Sequence, residues 1–302
     1  MMRTLNLTDP DNSPIQYKPS KFPDGQYSIQ LTGYNSTQSL TSIIDDAVTI
    51  KARLNNFKDL EIIICATQAL KEYGFTQIHL FVPYILGARS DRKFSEGGFN
   101  YVKTVIAPIL NLQGYSSVTC IDPHSDVLEA CINHFKKIDN VELVKFALFH
   151  ITGSSRWKED QEFALVSPDA GALKKVYHVA EQIGYTQDII IASKHRDLKT
   201  NQITHTTVPV LPKHAQKDFI IIDDICDGGR TFIEIAKVIR QHFSDAKIYL
   251  VVTHGIFSAG LLELSKYFER VFTTTSFSKI DVNHHSDHTA DPSFLTQLDV
   301  FN

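Results

Sequence analysis

Hydrophobic and polar residues alternate cleanly over residues 47–54: Val48, Ile50, Ala52 and Leu54 point one way, Thr49, Lys51 and Arg53 the other. A period of two predicts a half-buried strand. Asp59, read as an N-cap, then opens a helix over 59–73, with Gly74 as its stop. The Ile62, Ile63, Ile64 run fits either period, and the length of its segment favours helix. Apolar runs predict further strands over 27–31, 77–82, 117–121, 163–166, 188–192, 219–222 and 247–253. Helical patterns occupy 101–113 and 171–183, and another follows Thr231, with Phe232, Ile235, Ala236 and Ile239 on one face. Strands alternating with helices imply an α/β protein with mainly parallel sheets flanked by helices. The series falls into two similar halves, so two similar domains are expected, at 1–145 and 146–280, with a tail over 281–302.

Polar residues gather where the predicted strands end. Arg89, Ser90, Asp91 and Arg92 follow the 77–82 strand, Asp122 and His124 the 117–121 strand, and Asp169 the 163–166 strand. Lys194 and Arg196 follow 188–192, and Asp223, Asp224 and Asp227 follow 219–222. Ligands of open α/β sheets bind outside the carboxyl ends of strands. The richest segment is FIIIDDICDGGRT, residues 219–231. It reads as strand, anion-binding loop and helix: Gly228 and Gly229 let backbone N–H groups turn toward an anion, and the helix N-terminus adds partial positive charge. Carboxylates repel phosphate, so Asp223 and Asp224 suit ribose hydroxyls or a metal carried by the ligand. Donors for phosphate beside acceptors for a diol suit a ribose phosphate. The spacing is neither that of a Walker loop nor that of a dinucleotide-binding fingerprint.

Bulk properties narrow the classes. A chain of 302 residues, 43% hydrophobic, is long enough for one large or two ordinary cores. A formal net charge of -4 gives no reason to expect nucleic acid as a partner. No apolar run approaches a membrane span, and the amino-terminal residues lack a signal-type apolar segment, so a cytoplasmic protein without a membrane partner is expected. Cys65, Cys120, Cys131 and Cys226 form no CxxC pair and read as reduced thiols, Cys226 within the loop and the other three in the core. His284, His285 and His288 cluster in the tail and are expected to be part of a polar loop.

Taken in order, these segments resemble ribose-phosphate pyrophosphokinases, also called phosphoribosyl pyrophosphate synthetases. FPDG at 22–25 is similar to that family's nucleotide-binding turn, and VPYILGARSDRK at 82–93 to its IPYxxYARQDRR segment. DPHS at 122–125 resembles DLH, VSPDAG at 166–171 VSPDxG, and SKHR at 193–196 DKRR, which opens the family's catalytic loop. Residues 219–231 resemble the VDDxxDTGGT ribose-phosphate site, and THGIFSAG at 253–260 resembles THPIFSG. The resemblance implies two phosphoribosyltransferase-like domains, the first serving the nucleotide and the second ribose 5-phosphate, with the tail packing back on the first. It implies transfer of the β,γ-diphosphoryl group of ATP to the C1 hydroxyl of ribose 5-phosphate, with AMP released and Mg²⁺ required. Phe22, Asp24, Gln26, Arg89, Ser90, Asp91 and His124 would then serve ATP. His124 and Asp169 would serve the metal, Lys194 and Arg196 the transition state, and Asp223, Asp224 and the loop of Asp227, Gly228, Gly229, Arg230 and Thr231 the ribose 5-phosphate. A homo-oligomer with its nucleotide site near a subunit interface is also implied.

The chain departs from the family pattern in places. Arg230 stands where a second glycine is usual, where a side chain restricts the backbone and can bring a cation to phosphate. Gln26 replaces glutamate, Ser90 glutamine and Pro123 leucine. Only 21 residues precede Phe22, so one helix of the usual amino-terminal region is expected to be missing. Two other readings share the 223–231 loop: a phosphoribosyltransferase that consumes phosphoribosyl pyrophosphate, and a non-catalytic synthetase-associated regulatory subunit.

Overall fold

The computed structural model describes residues 3–32, 47–158, 163–196, 203–281 and 291–301. They divide into two compact units, residues 1–138 with 301–302, and residues 139–300.

Unit 1 begins with β1 (Arg3–Asn6), β2 (Tyr17–Lys21) and β3 (Tyr27–Leu31). Between Arg3 and Phe22 two strands and no helix are described. β4 (Ala47–Lys51), α1 (Phe57–Glu72) and β5 (Gln77–Phe81) follow. The alternation around β4 holds: Val48, Ile50, Ala52 and Leu54 are buried. The cap of α1 differs from expectation. Asn56 is the N-cap, its side chain accepting the Asp59 N–H at 3.0 Å, while the Asp59 carboxylate accepts the Asn55 N–H at 2.9 Å. Two residues thus share the orphan donors at one helix start. Leu60, Ile63, Ala66 and Leu70 form the buried stripe of α1, each large one contributing about 1.5–3 kcal/mol of burial. The expected 101–113 helix is a π-turn over Val102–Ile106 continuing into α2 (Ala107–Leu112). β6 (Ser117–Ile121), α3 (Val127–Cys131) and β7 (Phe135–Ile138) complete the unit. Its main sheet has the order β1-β4-β5-β6-β7, parallel throughout. β2 and β3 form a separate antiparallel hairpin.

Unit 2 opens with α4 (Val141–Thr152), and the break expected near residue 145 lies inside this helix. Then come β8 (Phe163–Ser167), α5 (Leu173–Ile183), β9 (Ile190–Ile191), β10 (Ser193–Arg196) and β11 (Ile203–Thr207). β12 (Asp218–Cys226), α6 (Arg230–His242), β13 (Ile248–Gly255), α7 (Leu262–Ser265), β14 (Arg270–Thr274) and β15 (Leu295–Leu298) follow. The sheet order is β15-β14-β13-β12-β8-β9, again all parallel. Phe219 and Ile221 of β12 face a core closed by α6, and Ile220 and Ile222 face one closed by α4 and α5. Strands buried on both faces read as continuous apolar runs, as β12 and β13 do. Of the tail, β15 pairs within unit 2, Phe301 belongs to unit 1, and His284, His285 and His288 lie outside the described residues.

Candidate active site

Strand order in unit 2 reverses between β8 and β12. From β8 the chain goes through α5 to β9 on one side, then crosses to β12 and continues outward to β15. Such a reversal opens a crevice beyond the carboxyl ends of the two central strands. Asp169 follows β8, and Asp223 and Asp224 lie at the end of β12. The strand was expected to stop at residue 222; it runs to Cys226 because β13 keeps pairing with it through Gly255. The acid pair is therefore fixed in the sheet rather than carried by a loop. Cys226, expected in that loop, is fully buried, and burial pushes its thiol well above the usual range. Of the other three cysteines, Cys120 is buried and Cys65 and Cys131 only half-buried.

Asp224 shares the parity of Ile220 and Ile222 and meets Lys175 of α5, whose Nζ lies 3.0 Å from its Oδ2. Asp223 accepts the Asp224 N–H at 2.9 Å. Burial, then the charges of Asp224 and Asp169, hold the Asp223 carboxyl well above the usual carboxylate range. The Asp169 Oδ1 accepts the N–H groups of Gly171 at 2.9 Å and Ala172 at 3.1 Å, so this residue also shapes the entry to α5. Lys175 and Ser258 were missed from sequence. Lys175 sits beside the buried Val176 of an amphipathic helix, where a lysine reads as surface. Ser258 Oγ donates to Asp227 Oδ1 at 2.5 Å, and its N–H donates to the Asp227 carbonyl at 3.2 Å.

Gly229 is the N-cap of α6, at φ 77° and ψ -8°. A side chain is disfavoured in that left-handed region, and a Cβ there would also stand 3.0 Å from Leu264 Cδ2. Its carbonyl accepts the N–H groups of Phe232 and Ile233 at 3.0 and 3.1 Å. Arg230 is the first helical residue, so its side chain meets no backbone restriction of the kind expected from the sequence. The N–H groups of Arg230 and Thr231 lack intrahelical acceptors by position, which is the donor set an anion uses. Gly228 has room for a side chain, its nearest neighbour being Ser258 Oγ at 3.8 Å from a built Cβ. Lys194 and Arg196 lie on β10, paired antiparallel with β11 at Lys194↔Thr206 and Arg196↔Ile203. These residues, expected on a loop, have strand backbone.

In unit 1, Phe22, Asp24 and Gln26 form the exposed tip of the β2–β3 hairpin. The Phe22 N–H donates to the Gln26 carbonyl at 2.8 Å, and Asp24 Oδ1 accepts the Gln26 N–H at 3.1 Å. Phe22 is 50% exposed, a large apolar ring offered to solvent. The Tyr27 N–H donates to Glu61 of α1 at 3.0 Å, which docks the hairpin. Arg89, Ser90 and Asp91 lie after β5, on a different support. The Tyr101 ring braces this loop: a Cβ on Gly87 would fall 2.3 Å from the ring, and the Tyr101 N–H donates to the Ser90 carbonyl at 2.9 Å. Arg89 and Ser90 are exposed, whereas Asp91 is buried at 2% exposure. Arg92 Nε donates to Asp91 Oδ1 at 3.2 Å, and Ser125 Oγ donates to its Oδ2. Asn100 Nδ2 donates to its carbonyl. Asp91 thus ties the loop after β5 to DPHS after β6. In that second loop Asp122 is buried with φ 43°, a costly angle for a non-glycine residue, and His124 is half-buried.

Among the described residues, no group of three or more His, Cys, Asp or Glu side chains is close enough to hold a metal ion by itself. No described helix is long and apolar enough to cross a membrane.

A parallel α/β sheet reversed beside an acid pair and a glycine-capped helix defines a protein of the phosphoribosyltransferase-like class. The chain belongs to the phosphoribosyl transferase domain family, which it matches over residues 135–287. It is similar to the ribose-phosphate pyrophosphokinase of Mycoplasmopsis pulmonis, 28% identical over 230 residues, covering 76% of this chain and 67% of that one. It is also similar to that of Sulfurisphaera tokodaii, 27% identical over 283 residues, covering 92% of this chain and 87% of that one. Its fold is that of the crystal structure of phosphoribosylpyrophosphate synthetase from Mycobacterium smegmatis, with a TM-score of 0.75, 15% identity, and 99% and 95% of the two chains covered.

Proposed function

We propose that the protein is a ribose-phosphate diphosphokinase. It transfers the β,γ-diphosphoryl group of ATP to the C1 hydroxyl of ribose 5-phosphate and releases AMP. The observation carrying this reading is the extent of the likeness: a ribose-phosphate pyrophosphokinase aligns with 92% of the chain, across both units, whereas the phosphoribosyl transferase domain covers 135–287 alone. A simple phosphoribosyltransferase needs only the latter.

Unit 2 is the ribose 5-phosphate side. The backbone of Asp227, Gly228, Gly229, Arg230 and Thr231 cradles the 5-phosphate at the start of α6, with Ser258 bracing Asp227. Asp223 and Asp224 accept ribose hydroxyls, and Lys175 keeps Asp224 in place. Unit 1 is the nucleotide side. Phe22, Asp24 and Gln26 hold adenine from the hairpin tip, and Arg89 and Ser90 contact the phosphates. Asp91 acts through Ser125, aligning the DPHS loop that carries His124. Lys194 and Arg196 neutralise charge on the moving phosphoryl oxygens, a reaction governed by positioning and electrostatics.

The donor set fits Mg²⁺ carried by the triphosphate rather than caged by protein. Mg²⁺ is usually bound through one or two carboxylates plus phosphates, and the like charges of Asp169, Asp223 and Asp224 favour a cation beside them. On unit 2, Asp169 is a residue that would serve it, directly or through water. When bound, it supplies charge neutralisation on the phosphate oxygens. As part of this reading the enzyme is a cytoplasmic homo-oligomer, with the exposed Phe22 at a subunit boundary.

The test is an assay of purified protein with ATP, ribose 5-phosphate and Mg²⁺. AMP and phosphoribosyl pyrophosphate should form together, without a nucleobase. Pyrophosphate release that requires a nucleobase would instead identify a phosphoribosyltransferase, and the absence of both reactions a regulatory subunit.

A further inference from the structure

At the amino-terminal end of the unit 2 sheet, away from the crevice, lies a cavity of about 260 Å³. Its walls come from Ala164 at the start of β8, the turn between α5 and β9, and the 3₁₀ turn Pro212–His214 before β12. β12 separates it from the acid pair by on the order of 20 Å of extended chain. None of the residues assigned above to ATP, ribose 5-phosphate or catalysis lines it.

The charged lining is cationic. Lys213, Lys217 and His214 face one carboxylate, Asp188. His214 is 4% exposed, and its Nδ1 accepts the Leu211 N–H at 2.9 Å. That bond fixes the neutral tautomer with its proton on Nε2, and among the described residues Nε2 has no hydrogen-bond partner. The two ammonium groups are held by weak anchors at the surface. Lys213 Nζ lies 2.5 Å from Asp188 Oδ2 in an exposed pair, and Lys217 donates to the Gln187 amide oxygen. Both anchors are oxygens of the kind an incoming anion would present, and exposed pairs contribute little, so exchange is cheap.

We propose that this cavity binds a small dianionic oxyanion, gripped by Lys213, Lys217 and the Nε2–H of His214. The charge balance fits. The two charges of a dianion answer the ammonium groups of Lys213 and Lys217, with Asp188 giving up its hold on Lys213 as the anion enters. Burial, then Lys213 and Lys217, lower the His214 pKa, with Asp188 opposing. His214 therefore stays neutral, its Nδ1 accepting from Leu211 and its Nε2–H left to donate.

Sulfate is the probe, because it remains dianionic across the range in which histidine titrates. The lone tryptophan supplies a reporter, since the Trp157 ring packs edge-on against cavity-lining Tyr185 at 5.7 Å. Equilibrium dialysis of labelled sulfate with the full-length chain should show saturable binding, accompanied by a change in Trp157 emission. Lys217→Gln should weaken this binding about tenfold, the loss of one charge-assisted contact. Thr231→Val, in the loop assigned to the 5-phosphate, should leave it intact. His214→Asn, whose amide oxygen can still accept the Leu211 N–H, should weaken sulfate binding by about threefold through loss of the Nε2–H donor. Competition by succinate tells a dicarboxylate ligand from a tetrahedral one. Equal sulfate affinity in wild type, Lys217→Gln and Lys213→Gln overturns the proposal. So does sulfate binding that only Thr231→Val weakens, which would place the anion in the catalytic crevice.

Discussion

The two main sheets are built alike and organised differently. Both are wholly parallel, but unit 1 adds its strands in one direction, from β1 to β7, whereas unit 2 reverses between β8 and β12. The acidic residues near the strand ends differ in the same sense. Asp91 is buried among donors, with Arg92 and Ser125 on its two oxygens and Asn100 on its carbonyl. Asp223 sits in the company of Asp224 and Asp169, and its carboxyl is held well above the usual range. One carboxylate is fully answered by the protein and joins two loops. The other has carboxylates for neighbours, and burial and those charges disfavour its ionised form. The two acids thus differ in the sign of their neighbours.

The sharpest way to break this contrast is Asp91→Ala. It removes the acceptor of Ser125 and Arg92, and should cost about 2–3 kcal/mol of stability, since hydrogen bonds to charged groups are worth about 1.5–3 kcal/mol. Urea unfolding measures it, and an unchanged midpoint would mean that Asp91 has no architectural role. Gly229→Ala comes next, at about 1–2 kcal/mol from the left-handed backbone, with weaker ribose 5-phosphate binding as α6 and Leu264 shift. Retained stability together with retained affinity would show that the capping geometry is dispensable.

Asp223→Asn should act in the opposite direction to Asp91→Ala. Because the folded-state pKa of Asp223 lies above its unfolded value, its contribution is complete below the unfolded pKa and is lost as pH rises through the folded pKa. An amide removes that loss, so melting at neutral pH should rise by about 2–4 °C while sugar affinity falls. A lower melting temperature would remove the contrast with Asp91, and unchanged affinity would exclude Asp223 as a hydroxyl acceptor. Arg230→Gly should give the smallest effect, a drop of a few-fold in ribose 5-phosphate affinity by calorimetry, because an exposed cation at a helix start adds little. No change would leave phosphate recognition entirely to the backbone.

Regular periods were legible in the chain. β4 was readable from its alternation, β5, β6 and β8 from apolar runs, and α1 from its length and Gly74. What escaped was set by partners remote in sequence. β12 extends past Ile222 only because β13 pairs with it to Gly255, so carboxylates that read as a strand terminus lie within the sheet. β7 carries mostly exposed residues and has no buried face to announce it. β10 and β11 exist as a mutual pair, which short polar segments do not betray. At the site, the glycine loop was evident from composition, but the left-handed φ of 77° at Gly229, with Leu264 beside it from 35 positions away, was not. Lys175 and Ser125 gained meaning only from the acids they touch.

Phe301 gives the end of the described chain a structural duty. Its carbonyl accepts the Lys51 ammonium at 2.6 Å, the Arg53 guanidinium lies over its ring at 4.8 Å, and Phe81 meets that ring edge-on at 5.9 Å. These contacts hold the outflow of β4 and β5, yet Phe301 directly follows the strand-bearing stretch of the other unit. Unit 1 is thus not a continuous stretch of polypeptide, whereas unit 2 is. A ribosome would complete the first unit only after the second, and losing Phe301 would loosen the sheet made earliest.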